Sequence, residues 1–156
     1  MSIDTILKGH ELFASLNVNE MHQLSSFSSV KDFKADFTIF EYNQPSTHFY
    51  MLMEGLVYLQ LPINPDDTRF AISKIERGEL FGISSLLKSE LYTSTALCHE
   101  DTKVLSIEAK PFRDLLRLNC TAGLDIMNKI AHIYFTRYLE VIKKLQDVVS
   151  QITVLS

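Results

Sequence analysis

The chain has 156 residues, of which 46% are hydrophobic and 22% are charged, a balance typical of one folded globular domain. Its net charge of −4 argues against a surface built to neutralise nucleic-acid phosphates, which is normally basic. No apolar run approaches a membrane span, and the N-terminus lacks the apolar core of a signal peptide. Cys98 and Cys120 form neither a disulfide framework nor a zinc-ligand spacing. We therefore expect reduced thiols, a cytoplasmic protein and no membrane partner.

Residues 1–27 predict two short N-terminal helices. The first has a face with near-helical spacing, formed by Ile6, Leu7, His10, Phe13 and Leu16. Asn19 is a candidate N-cap for the second, which carries Met21 and Leu24. The serines that follow Leu24 predict that this second helix is short.

Residues 28–108 predict a set of short β-strands rich in aromatic and branched side chains. The strand segments are Phe37–Phe40, Phe49–Leu52, Leu56–Leu61, Arg69–Ile75 and Val104–Ile107. Turn-forming residues separate them at Asn43–Ser46, Glu54-Gly55 and Asn64–Asp67. Many short strands at close spacing favour an antiparallel sandwich or barrel over alternating strands and helices.

Residues 110–152 predict C-terminal helices. A short helix begins at Lys110-Pro111-Phe112, because proline suits the first helical turn. A long helix follows from Ala122 to about Ile152, and apolar residues repeat along it at alternating spacings of three and four. Its seam comprises Leu124, Met127, Ala131, Tyr134, Tyr138, Val141, Leu145, Val148 and Ile152.

This seam predicts a parallel homodimer whose interface contains Met127, Ala131, Tyr134, Tyr138, Val141, Leu145 and Val148. The alternative is an amphipathic helix folded entirely against its own core. A helix of about 30 residues spans about 45 Å, which is more than one small β domain covers. The stripe is widened by Ile130, Phe135, Ile142 and Val149, so we also expect part of the helix to pack on the β domain.

The order of these elements resembles the cyclic-nucleotide-binding domain of CRP/FNR-type regulators and cyclic-nucleotide-dependent kinases, over roughly residues 10–150. The resemblance is carried by Leu12–Leu16, Asn19–Leu24, Ile39-Phe40, Tyr50–Val57, Gly78–Gly82 and Ser94–Ala96. It implies a mainly β fold with flanking helices, namely an antiparallel β jelly roll with a long C-terminal dimerisation helix. Asn43 stands where the family commonly has a glycine before the Gly55 turn. Asparagine tolerates left-handed backbone geometry, so we expect this turn to survive.

The resemblance also implies a phosphate-binding cassette after Phe81-Gly82. In the family a glutamate after the glycine holds the ribose and a later arginine pairs with the phosphate, and Ile83 and Ser94 stand at these positions. Between Gly82 and Thr95 the only cation is Lys88, so the loss of the arginine does not depend on the alignment. The candidate ligand-binding residues of this degenerate cassette are Phe81, Gly82, Ile83, Ser84, Ser85, Tyr92, Thr93 and Ser94. We expect weak cAMP binding, with a different nucleotide or another small ligand as the alternative.

Several cassette side chains have two interpretations. Ser84 or Ser85 is expected to cap a short helix, or else to hold a ligand. Tyr92 is expected to fill space as packing, or else to stack on a ligand. Arg137 on the long helix is either a solvated flank of the seam or a replacement for the missing cation.

Other chemistry finds little support in the sequence. The five histidines are scattered without ligand spacing, so we expect no metal site. Two cysteines cannot supply an iron–sulfur cluster, and Cys98-His99 on a strand point to opposite faces, which disfavours haem ligation. The residues after Lys144 are too few for a helix-turn-helix, so we expect no DNA contact by this chain.

The sequence therefore predicts a non-enzymatic regulatory module that signals through dimer geometry. A ligand-free dimerisation or interaction scaffold is the rival. The sensor part of a longer transcription regulator and a small cupin-like enzyme are weaker alternatives.

Overall fold

The computed structural model describes residues 1–62 and 69–153. The helices are α1 (Ile3–Lys8), α2 (Val18–Ser26), α3 (Ala109–Leu118) and α4 (Cys120–Thr153), with 3₁₀ turns at Glu11–Phe13 and Ile83–Leu86. The strands are β1 (Ser28–Phe33), β2 (Thr38–Phe40), β3 (His48–Glu54), β4 (Val57–Pro62), β5 (Arg69–Ile75), β6 (Leu80–Phe81), β7 (Thr95–Cys98) and β8 (Thr102–Glu108). The predicted turn at Asn64–Asp67 lies outside the described residues.

The strands form two four-stranded antiparallel sheets. One has the order β1-β8-β3-β6 and the other β2-β7-β4-β5. Together they make a β roll, with helices α1 and α2 before it and α3 and α4 after it. The predicted antiparallel jelly roll with flanking helices is confirmed, and each of the five predicted strand segments overlaps a strand.

Two hydrophobic clusters hold these layers together. The first joins the N-terminal helices, the β1-containing sheet and the C-terminal helices, and it contains the fully buried Phe112. The ring of Phe112 contacts Phe13 at a centroid distance of 6.0 Å and Phe49 at 5.1 Å. The second cluster fills the space between the two sheets, with Leu52 and Val57 fully buried.

Periodicity did not indicate strands β1, β6 and β7, of which β1 is the longest. The sequence of β1 is largely polar, and its four central residues are exposed on both faces. β1 is an edge strand that pairs with β8, from Ser28 opposite Ile107 to Phe33 opposite Thr102. Edge strands need no apolar alternation, because backbone hydrogen bonds to one neighbour define them.

The N-terminal helices differ from the prediction in two details. The first predicted helix ends at Lys8, and a separate 3₁₀ turn follows. The predicted N-cap at Asn19 is wrong, since helix α2 begins at Val18 and its N-cap is Asn17. The Asn17 Oδ1 accepts from the Glu20 N–H at 2.9 Å, and the Asn17 N–H donates to the Glu20 carboxylate at 3.0 Å. This reciprocal capping box satisfies two backbone donors, which a cap at Asn19 would leave open.

Helix α4 packs on the roll through its first half. Ile126 and Ile130 are at most 1% exposed, and both belong to the first hydrophobic cluster. From Lys143 to Ile152 every residue is exposed. The expectation that only part of the helix packs on its own β domain is therefore met. No helix in the described part of the chain is long and apolar enough to cross a membrane.

The turn between β3 and β4 offers a direct test of the fold. Gly55 has φ +98°, and a Cβ there would lie 2.6 Å from the Asp101 carbonyl oxygen and 2.8 Å from the Thr102 Cα. Gly78 also has a positive φ, +87°, but a Cβ there meets nothing within 4 Å. We expect Gly78→Ala to lower the free energy of unfolding by about 1–2 kcal/mol through backbone strain alone. Gly55→Ala, which adds a backbone clash, should lower it by about 3 kcal/mol or more.

Urea unfolding of the two variants and the parent protein measures this difference. Equal destabilisation by the two substitutions would show that the close approach at Gly55 is not as the structure has it.

Candidate functional site

The predicted cassette begins directly after β6. It starts with Gly82, which has a left-handed backbone conformation, and continues as a single 3₁₀ turn. Gly82 has φ +69°, and a Cβ there would lie 3.1 Å from Phe40 Cε1 and 3.2 Å from Tyr50 Cδ2. Glycine at this point lets the chain leave the strand while staying against the aromatic side chains of the roll. The turn Ile83–Leu86 is buried along its whole length.

The predicted capping roles of Ser84 and Ser85 are wrong. Gly82 occupies the N-cap position, and no side chain caps the turn. Ser85 is fully buried, and its Oγ donates backwards to the Gly82 carbonyl oxygen at 2.9 Å. The Ser85 carbonyl in turn accepts a hydrogen bond from Arg113 of α3. These bonds attach the cassette turn to the helix that precedes α4.

A cavity of about 270 Å³ opens beside this turn, between the cassette, the β2-containing sheet and helix α4. Its lining consists of Phe40, Leu59, Ile72, Ser73, Gly82, Ile83, Ser84, Tyr92, Thr93, Ser94, Tyr134, Arg137, Tyr138 and Val141. Six of the eight predicted ligand-binding residues are in this set. The other two, Phe81 and Ser85, lie fully buried behind the lining.

Tyr92 is placed as packing. Its ring stacks on Phe40 at a centroid distance of 3.8 Å and it is 4% exposed. Its hydroxyl donates to the His48 carbonyl oxygen at 2.6 Å and accepts from the His48 N–H at 3.1 Å. The adjacent turn is held as well, since the Asn43 N–H donates to the Tyr92 carbonyl at 3.0 Å. Asn43 has φ +68°, which confirms that asparagine takes the left-handed position of the family glycine.

Three buried serines line the cavity from three different segments. Ser73 comes from β5, Ser84 from the cassette turn and Ser94 from the residue before β7. They are 5%, 5% and 6% exposed. Within the described residues, none of their hydroxyls makes a hydrogen bond to the protein. Among the described residues, the buried side-chain oxygens without a partner do not include these three hydroxyls, so they reach the cavity space and are available to a ligand or to water.

Arg137 is the cation that reaches this site. It comes from α4, lines the cavity, and donates a hydrogen bond to the Leu80 carbonyl. Burial lowers the pKa of Arg137, while the nearby Glu79, Tyr134 and Glu140 act in the opposite direction. Arg137 also lines a second cavity of about 280 Å³, and the two glutamates lie on that side. The expectation of a solvated flanking arginine is therefore not met.

Lys88, the cation of the cassette segment, does not line this cavity. Lys88 lines a wide surface groove on the far side of the turn, together with Arg113 and Arg117. No cassette residue therefore supplies positive charge to the smaller cavity, as the sequence predicted.

The predicted dimer-interface residues divide between two environments. Met127 and Tyr134 are partly buried against the first hydrophobic cluster. The others are exposed, namely Ala131, Tyr138, Val141, Leu145 and Val148. Tyr138 and Val141 also border the cavity.

Four strand residues of the cavity were not predicted from the sequence, namely Phe40, Leu59, Ile72 and Ser73. The alternation of β5 places Ser73 on the same inward face as Ile75, and both are buried. The sequence signal for Ser73 was a polar residue at an inward-facing position of a strand. Among the residues that the structure describes, no cluster of three or more histidine, cysteine or acidic side chains could hold a metal ion.

Comparison with known proteins identifies the architecture. The family model of the cyclic nucleotide-binding domain matches residues 30–119, more than half of the chain. A Geobacter metallireducens protein whose name describes it as cyclic nucleotide-binding has 27% identity and a TM-score of 0.76, covering 88% of this chain and 99% of that chain. The sensor domain of the transcriptional regulator DNR from Pseudomonas aeruginosa has 18% identity and a TM-score of 0.75, covering 88% and 95% respectively.

The catabolite activator protein of Thermus thermophilus is also similar, with 22% identity and a TM-score of 0.66. That match covers 89% of this chain and 62% of the activator. No curated protein sequence matches the chain.

The buried tyrosines of this site predict a loss of stability at alkaline pH. Burial is the largest cause that raises the pKa of both Tyr50 and Tyr92 above the ordinary value. Their contribution is complete below about pH 10, the unfolded-state pKa, and is lost as the pH rises beyond it. We expect the urea midpoint to fall across this range, and Tyr50→Phe to make the fall shallower.

Tyr42→Phe is the matched control, because Tyr42 is 41% exposed. A Tyr50→Phe variant whose midpoint falls with pH as steeply as the parent's would contradict the assignment.

Proposed function

Because the chain belongs to the family of cyclic nucleotide-binding domains, we propose that it is a sensor whose altered cassette binds a small molecule other than cAMP. Domains of this family are non-catalytic ligand-binding modules, and this chain is such a sensor or regulatory domain. We also propose a cytoplasmic location, because Cys98 and Cys120 are both free thiols.

The observation that carries the proposal is a retained cavity without the family's charged contacts. Ile83 and Ser94 both line the cavity, as the family positions of the ribose and phosphate contacts should. Neither side chain carries a charge, so neither can replace the carboxylate and guanidinium contacts of the family. Each such bond contributes about 1.5–3 kcal/mol, so each loss weakens binding by roughly tenfold to a hundredfold.

The volume of the cavity supports a small ligand. About 270 Å³ lies just below the roughly 300–1,000 Å³ usual for ligand pockets. The packing of Tyr92 on Phe40 occupies part of the space beside the cassette. The ligand-free scaffold remains the rival, and it would have no use for unpartnered serines in the lining.

Helix α4 is the element through which binding would be transmitted. Tyr134, Arg137, Tyr138 and Val141 follow helical spacing and border the cavity together. A ligand that contacts these residues would stabilise one placement of α4 on the β roll relative to other placements. A partner protein or a further domain would then read the geometry of the dimer.

The dimer seam that we propose runs along the outward face of α4. Ala131, Tyr138 and Leu145 recur every seven residues, and Tyr138 and Leu145 are 58% and 57% exposed. Phe135, which is 57% exposed, lies between two members of this row. We assign it to the seam in place of Tyr134, which is partly buried against the roll. Helix α4 has 34 residues and a length of about 51 Å, so much of it extends past the contacts of its own core.

Restoring the two family contacts tests the cassette assignment. We expect the parent protein to bind cAMP weakly and Ile83→Glu/Ser94→Arg to bind it roughly a hundredfold more tightly, measured by titration calorimetry. Ile83→Gln/Ser94→Met is the matched control, with similar bulk and no charge.

Tight cAMP binding by the parent protein would overturn the proposal of an altered specificity. An equal gain in the charged and uncharged double variants would show that shape, not charge, limits the site.

Light scattering tests the seam. We expect Tyr138→Lys to convert a dimer into a monomer, because it places a charge in an apolar interface. Asp147→Asn is the control, since it changes the net charge equally at an exposed position away from the row. A Tyr138→Lys protein that remains a dimer would remove the seam from the proposal.

A further inference from the structure

Arg137 places a positive charge on the lining of the cavity. It is the one charged residue among those described that line the cavity. Its acidic neighbours Glu79 and Glu140 line the second cavity and not this one, although both act on the guanidinium electrostatically. No ion pair of Arg137 occurs among the described residues, and its one hydrogen bond goes to the Leu80 carbonyl. A guanidinium has five N–H donors, so most of them remain for another acceptor.

The buried serines supply neutral donors in the same space. Ser73, Ser84 and Ser94 are each more than nine-tenths buried and line the cavity without a protein partner. Hydroxyl groups together with a guanidinium recognise carboxylate and phosphate oxygens. The remaining lining is mainly aromatic and aliphatic, which suits the apolar body of a ligand.

We propose that the cavity binds a small molecule with an oxyanion group, a carboxylate or a phosphate, which pairs with Arg137 and accepts hydrogen bonds from the buried serines. This inference rests on the proposed sensor function and specifies the ligand class. The counter-charge then comes from helix α4 and not from the cassette. Ligand binding would join the long helix to the cassette turn and β5 by direct hydrogen bonds.

Three simple probes test the contribution of the oxyanion to binding separately from that of the apolar body. Benzoate and phenyl phosphate carry the two candidate groups, and benzamide is the neutral isostere of benzoate. We expect at least one anion to shift the Arg137 Nε–H and the Ser84 and Ser94 amide resonances in NMR titrations. We expect benzamide to bind at least about tenfold more weakly, because it cannot form the charge-assisted pair.

Arg137→Gln should lower anion affinity at least about tenfold and abolish the preference over benzamide. Lys143→Gln is the matched control, since it removes an exposed charge from the same helix, and it should bind as the parent does. If Arg137→Gln does not fold, Ser84→Ala/Ser94→Ala supplies the test and should weaken anion binding with little effect on benzamide.

Equal binding of benzoate and benzamide, or unchanged anion affinity in the variants, would overturn this inference and leave a sensor for neutral ligands. Failure of all three probes to bind would also overturn it. The sensor function fails separately, if no compound perturbs the cavity residues and the charged cassette variant does not gain cAMP affinity.

Discussion

The packing of helix α4 on the β roll determines both the lining of the cavity and which face of the helix stays exposed. Ile126 and Ile130 enter the same cluster as Phe13 and Phe112. Burying such a side chain contributes about 1.5–3 kcal/mol. Because a helix repeats every 3.6 residues, these two contacts determine which residues of the next turns face inward. They bring Arg137 to the cavity and leave Tyr138 at its border.

A polar network holds the beginning of α4 in position. The Asn119 side-chain amide donates to both oxygens of the Glu20 carboxylate, at 3.0 and 2.9 Å. The Asn119 Oδ1 accepts from the Ala122 N–H at 3.2 Å, in the first turn of α4. Glu20 is buried and also completes the capping box of α2. One carboxylate therefore connects the N-terminal helices to the junction of α3 and α4, where a change in helix angle would have the largest effect downstream.

The basic residues near the cassette turn lie in different environments. Arg113 serves the cassette backbone through the Ser85 carbonyl, and Lys88 faces the outer groove. The cavity receives its positive charge from Arg137 of α4. A buried charge is stabilised by a partner of opposite sign, so an anion held as we propose would restrain helix α4 through Arg137.

The sequence by itself determined the elements whose pattern is local. Strand alternation and the long heptad-spaced helix were readable, since each depends on the spacing of apolar residues within one segment. The polar edge strand β1 was not readable, because its pairing partners in β8 lie 69 to 79 residues away in the chain. The absence of an arginine between Gly82 and Thr95 was also visible in the sequence alone.

Only the tertiary structure decided how helix α4 is rotated about its axis and which residues line the cavity. Two apolar rows of α4 satisfy the same heptad spacing, and packing on the roll takes up Met127 and Tyr134. Ser73 and Arg137 come from distant segments, and a bond from Arg137 to the Leu80 carbonyl spans 57 residues. Periodicity records that a face is apolar but not which neighbour covers it, since that depends on contacts between segments far apart in the chain.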